Sequence, residues 1–125
     1  MDEELKKRLA QDSDGLLTYE YIANHIADID PIMGDLVDNM TAVDTTGQFV
    51  ASAARYLAAI DRVKYAPHID RLIAAAIDKD RERAYLGDLL SGIWGPDYES
   101  RADELRATDD NFRRIYKRIN PTGAL

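Results

Sequence analysis

Two histidines, His25 and His68, are the only side chains of this sequence that titrate near neutrality, so acid–base chemistry would have to begin with one of them. Asp28 follows His25 by three residues, and on a helix the two would share a face, where a carboxylate can orient an imidazole or join it in holding a metal. Carboxylate-bridged metal sites of helical bundles need Glu-x-x-His pairs from two helices, and this sequence contains no Glu-x-x-His. His68 directly follows Pro67 and reads as part of a helix start. A small metal-dependent enzyme around His25 therefore remains an alternative only, and no catalytic residue, metal ligand or cofactor is assigned.

Three aspartate-rich fragments, Asp12-Ser13-Asp14-Gly15, Asp28-Ile29-Asp30 and Asp78-Lys79-Asp80-Arg81-Glu82, begin like calcium loops. A calcium-binding helix–loop–helix needs glycine at its sixth position and glutamate at its twelfth. The twelfth residue is Ala23 for the first fragment and Leu89 for the third, so helix caps and solvated faces are the expected roles. Other chemistry is absent from the pattern. There is no cysteine, no Gly-x-Ser-x-Gly turn around a serine and no phosphate-binding glycine loop.

Charge placement is more informative than the net charge of −7. From Leu9 to Ala54 there is no lysine or arginine, while Asp12, Asp14, Glu20, Asp28, Asp30, Asp35, Asp38 and Asp44 are all acidic. This region reads as an acidic surface for a basic protein partner, with Asp28, Asp35, Asp38 and Asp44 as its contact residues; such a surface accelerates capture by electrostatic steering. At the other end, Arg113, Arg114, Lys117 and Arg118 fall outside an apolar stripe and could face phosphates, so an accessory nucleic-acid-binding role is a second alternative. A helix-turn-helix over Thr18 to Met40 is disfavoured, because its second helix would bring Asp35 and Asp38 to the DNA with no cation. Trp94 and Tyr98 flank a Gly-Pro turn; exposed they would form an aromatic anchor for a partner, and buried they would pin the turn. Self-association through an apolar face stays open.

The elements that must position these residues are helices. Phe49, Ala53, Tyr56, Leu57, Ile60 and Val63 recur at helical spacing, as do Ile69, Leu72, Ile73, Ala76 and Ile77, with Pro67 suited to opening the second helix. Nine alanines between Phe49 and Ile77 allow close packing, so this stretch is expected to form a central antiparallel hairpin. The echo of Arg55–Asp61 in Arg71–Asp78 is too little to predict a repeat array. Around the hairpin, helices are expected at 2–11, after a Thr18 cap, from Pro31 to Val43, around Leu86–Ile93, through Leu105, and from an Asp109 or Thr108 cap toward Ile119.

With 125 residues, seven glycines and four prolines, the chain suits one all-α domain, residues 1–125, an irregular bundle of about six to seven short helices. The acidic first residues do not suit a secretory signal, and no apolar run is long enough for a membrane span, so the cytoplasm is the expected compartment and no membrane partner is expected. The reading that follows is a non-enzymatic helical interaction domain.

Overall fold

Local signals set most helix boundaries in the computed structural model, which describes residues 1–120. Asp2 accepts the Leu5 N–H at 2.8 Å and starts α1 (Glu3–Ala10), whose first turn is acidic and last turn basic, as the helix dipole favours. After α2 (Leu16–Asn24), Pro31 sits in a 3₁₀ turn (Asp30–Ile32) that leads into α3 (Met33–Val43). The central hairpin is α4 (Gln48–Asp61) and α5 (Ala66–Lys79), with Pro67 in the first turn of α5, where no amide donor is needed. Gly95, at φ 98°, ends α6 (Leu86–Trp94). A 3₁₀ turn (Tyr98–Arg101), α7 (Ala102–Thr108) and α8 (Asp110–Ile119) complete the described chain, and Asp109 caps α8 by accepting the Phe112 N–H at 3.1 Å. The described residues are all-helical, with eight α-helices where six or seven were expected.

Beneath this order lies a repetition that the hydrophobic pattern does not announce. Asp44 and Asp80 end α3 and α5, Asp12 follows the Gln11 cap of α1, and all three are buried and accept N–H groups from the loop and first turn that come next. Asp44 accepts the N–H groups of Thr46 and Gly47 on Oδ1, at 2.9 and 2.8 Å, and those of Phe49 and Val50 on Oδ2, at 3.0 and 2.9 Å. Asp12 does the same for Asp14, Gly15 and Thr18, and Asp80 for Ala84, Tyr85 and Leu86. In every case the residue three positions on has positive φ: Gly15 at 109°, Gly47 at 90° and Arg83 at 60°. The carboxylates satisfy N–H groups that begin a helix and have no partner within it.

The loops also stack. A Cβ on Gly15 would lie 2.9 Å from the Phe49 Cβ and 3.4 Å from the Asp44 Cβ, and one on Gly47 would lie 3.0 Å from the Asp80 Cβ. Successive units therefore rest on one another at equivalent points. Correspondingly, α1, α3 and α5 neighbour in series, as do α2, α4, α6 and α8, giving two helical layers with the core between them. Leu9, Leu36, Leu57, Leu72, Leu89 and Phe112 are fully buried there.

Two expectations need correction. Thr18 does not cap α2: the helix begins at Leu16, and Thr18 is buried inside it, donating both its N–H (2.8 Å) and its hydroxyl (2.6 Å) to Asp12 Oδ2. The inner stripe of α4 is also rotated. Ala53 and Leu57 are buried as expected, but they are joined by Val50, Ala51 and Ala54, while Phe49 and Tyr56 are half-buried and Ile60 and Val63 lie 49% and 87% exposed. The small-residue arc faces the core because it lets neighbouring backbones approach, and α4 packs more extensively against α5 than any other helix pair does. In α5 the expected stripe holds: Ile69, Leu72, Ile73 and Ala76 are buried, with Ile77 at its margin.

Candidate functional site

The apolar residues that α4 leaves outside the core meet others from α2. Tyr19 lies between Phe49 and Tyr56, with ring centroids 6.3 Å from each and an edge-on geometry to Tyr56. The Tyr56 hydroxyl approaches the Ala23 carbonyl at 3.5 Å, so α2 and α4 run side by side in the same direction. Leu16, 43% exposed, lies at the start of this face, and Ile60 and Val63 lie at its other end. Of the described residues, the large apolar side chains that are exposed are Leu16 and Leu17 on α2, Ile60 near the end of α4 and Val63 in the turn after it. Phe49, Tyr56 and Ile60 recur at intervals of seven and four and share one side of α4, and Val63 follows in the turn beyond the helix.

The segment that carries α2 is acidic. Asp14 precedes it, Glu20 is exposed on α2 next to Tyr19, and Asp28 lies in the turn beyond α2; among the described residues none of the three has an ion-pair partner. The cations closest in sequence are engaged elsewhere. Arg55 lays its stem over Gly92 of α6, Arg62 pairs with Asp109 at 3.0 Å, and Lys64 pairs with Asp30 at 2.7 Å. Hydrogen bonds from Lys64 and Tyr65 hold the Asp30 carboxyl below the usual carboxylate range, and the same contact with Asp30 raises Lys64.

Of the four acidic contact residues expected from the sequence, the structure does not make one patch. Asp44 is fully buried and its oxygens are taken by backbone N–H groups, so it presents no charge to a partner. Asp35 and Asp38 are exposed on α3, where Asp35 lies 3.3 Å from the Met1 amino group and Asp38 pairs with Arg71 of α5. Asp28 is exposed in the turn after α2 and has no ion-pair partner among the described residues.

The remaining candidates are equally separate. Trp94 is buried: its Nε1 donates to Asp109 Oδ2 at 2.8 Å, the Arg62 guanidinium lies 5.2 Å from its ring centre, and the Phe112 ring meets it edge-on at 5.3 Å. It pins the turn rather than offering an anchor, and Tyr98 packs half-buried against Phe112. Burial pushes the Tyr98 hydroxyl up, with neighbouring Glu99 adding to the shift. On α8, Arg113 is tied to Asp110 and to the Arg106 carbonyl, Arg118 reaches the Arg81 carbonyl at 3.4 Å, and Arg114 and Lys117 are exposed.

His25 stacks on Tyr21 with ring centres 4.1 Å apart, and its Nδ1 lies 2.9 Å from the Tyr21 carbonyl, to which it must donate. His68 belongs to the first turn of α5, a different element from the turn that holds His25. Among the described residues no three His, Asp or Glu side chains gather as metal ligands. No helix among them is long and apolar enough to cross a membrane.

Sequence reasoning placed Phe49, Tyr56, Ile60 and Val63 in the core; Phe49 and Tyr56 pack half-buried against it, whereas Ile60 and Val63 are exposed. The available signal was that α4 is apolar over two arcs, one of small residues and one of large ones, and only the small arc suits close helix packing. Comparison with protein-family models, with curated proteins and with solved structures finds no match to this chain.

Proposed function

We propose that this protein is a non-enzymatic helical interaction domain that binds a basic protein partner through its cation-free 9–54 region. The observation that supports the reading is that this region carries exposed apolar side chains, Leu16 and Leu17 of α2, together with Asp14, Glu20 and Asp28, acids that have no ion-pair partner among the described residues. Unpaired acids around an apolar centre provide steering and a polar rim, while the apolar centre supplies the desolvated contact that holds a complex. Asp35 and Asp38 add to the field from α3, although each already has a positive neighbour.

Affinity capture from cytosol at low ionic strength tests this, comparing the native chain with an Asp14→Asn, Glu20→Gln, Asp28→Asn variant. Basic proteins retained by the native chain should be lost from the variant, and captured partners should associate more slowly with it by surface plasmon resonance. The same partners captured at unchanged association rates would refute the reading.

A further inference from the structure

We infer that the last turns of α5 and α8, with the loop that follows α5, form a second surface of opposite charge, one that takes the phosphate backbone of duplex nucleic acid. Two contacts place it. Asn111 in the first turn of α8 donates to Asp70 of α5 at 2.6 Å, and Arg118 in the last turn of α8 donates to the Arg81 carbonyl, just beyond the end of α5, at 3.4 Å. The two helices therefore run in the same direction and finish side by side. Lys79, Arg81 and Arg83 are thereby joined to Arg114, Lys117 and Arg118.

None of these cations has an ion-pair partner among the described residues, although Arg118 and Lys79 are half-buried. Lys79 and Arg81 line one hollow at the Asp80 loop, and Arg114, Lys117 and Arg118 adjoin one another on α8 outside the stripe of Phe112 and Ile115. Helix C-termini favour cations, but like charges three and four residues apart on one face repel, and an anion relieves that repulsion. The acids at the border are fewer: Asp70 is held by Asn111, Asp78 and Glu82 are exposed, and the oxygens of Asp80 are taken by the N–H groups of Ala84, Tyr85 and Leu86. Asp88 lines a separate hollow with Arg55. In the series α2, α4, α6 and α8 the acidic α2 stands first and α8 last, which keeps the two charged surfaces apart.

The chemistry of the surface selects its ligand. The exposed large apolar side chains, Leu16, Leu17, Ile60 and Val63, all lie on other elements. There is thus no apolar centre to hold an acidic protein and none to enter a bilayer. Nor is an aromatic face offered for stacking on single-stranded bases, since Tyr85 and Tyr116 are half-buried and the Arg106 guanidinium lies 5.2 Å over the Tyr116 ring. Guanidinium and ammonium groups without such features suit the regularly spaced phosphates of a duplex.

The probe is a fluorescein-labelled DNA duplex of about 20 base pairs, read by anisotropy with the full chain at about 50 and about 200 mM salt. Phosphate contacts from Arg81, Arg114, Lys117 and Arg118 should make affinity fall about a hundredfold over that range. Arg114→Gln with Lys117→Gln removes two exposed cations of α8, and Arg81→Gln with Arg118→Gln removes the pair that joins loop to helix. Each double variant should roughly halve the slope of log affinity against log salt. The first involves only exposed side chains and should keep the native melting temperature. Lys6→Gln with Lys7→Gln takes the same charge from exposed positions of α1 and should leave duplex binding unchanged.

No duplex binding at the lower salt would overturn the inference, as would an equal loss of slope in the α1 variant, which would mean attraction without a site. A slope lowered by the α8 pair alone would overturn the joint surface of loop and helix. Binding to phosphatidylserine vesicles or to a polyglutamate peptide at least as tight as to the duplex would overturn the nucleic-acid assignment and give the surface to a membrane or an acidic protein.

Discussion

Replacing Asp44 by asparagine separates a buried two-sided cap from an ordinary one. At an exposed helix start, asparagine and aspartate are near equivalents, because a single side-chain oxygen does the capping. Asp44 uses both oxygens: Oδ1 serves Thr46 and Gly47, Oδ2 serves Phe49 and Val50, and the carboxylate is fully buried. Whichever way an amide is turned, its NH₂ group faces two N–H donors. Each buried donor left without an acceptor costs about 1–3 kcal/mol, so Asp44→Asn should destabilise the fold by about 2–6 kcal/mol. Domains of this size are held by about 5–15 kcal/mol, which leaves the variant a measurable transition. Equilibrium urea unfolding, followed by circular dichroism and by Trp94 fluorescence, should show the midpoint falling. Asp35→Asn, at an exposed site, is the control and should stay within about 0.5 kcal/mol of the native chain. A loss below about 1 kcal/mol for Asp44→Asn would mean that its four bonds do not hold the loop.

Two further outcomes are expected. Ile73→Ala should cost about 2–5 kcal/mol, because that side chain is almost wholly buried, whereas Ile60→Ala at a half-exposed position should cost less than about 1 kcal/mol; equal losses in urea unfolding would contradict the rotation of α4. Burial pushes the Asp12 carboxyl up, but hydrogen bonds from the Thr18 hydroxyl and from the Thr18, Gly15 and Asp14 N–H groups outweigh it, so its folded pKa lies below the ordinary 3.8. The stability this contributes is present above the unfolded pKa and is lost as pH falls through the lower folded value; Thr18→Val should therefore flatten the dependence of the urea midpoint on pH below about 4, and an unchanged profile would count against the assignment.

Much of the architecture is determined by short-range signals in the chain. Pro31, Pro67, Gly95 and Asp109 mark helix ends through constraints on one or two residues, and the period of Ile69, Leu72, Ile73 and Ala76 selects a core face because no rival apolar arc exists on α5. The acidic, cation-free 9–54 region is likewise a property of composition, readable without coordinates. Tertiary structure decided the rest. Helix α4 is apolar on two arcs, and only packing against its neighbours shows that the alanine-rich arc is inside, that Phe49 and Tyr56 are half-buried against α2 and that Ile60 is left exposed. Aspartate in a loop reads the same in sequence whether it is solvated or enclosed; Asp44 became a structural cap because Gly47 seats its loop on that of Asp80, which removes water and leaves the helix N–H groups as the carboxylate's partners. The repetition of Asp12, Asp44 and Asp80 stayed hidden for the same reason, since Arg83 occupies the left-handed position that glycine holds in the first two units, and a conformation is shared there without a shared residue.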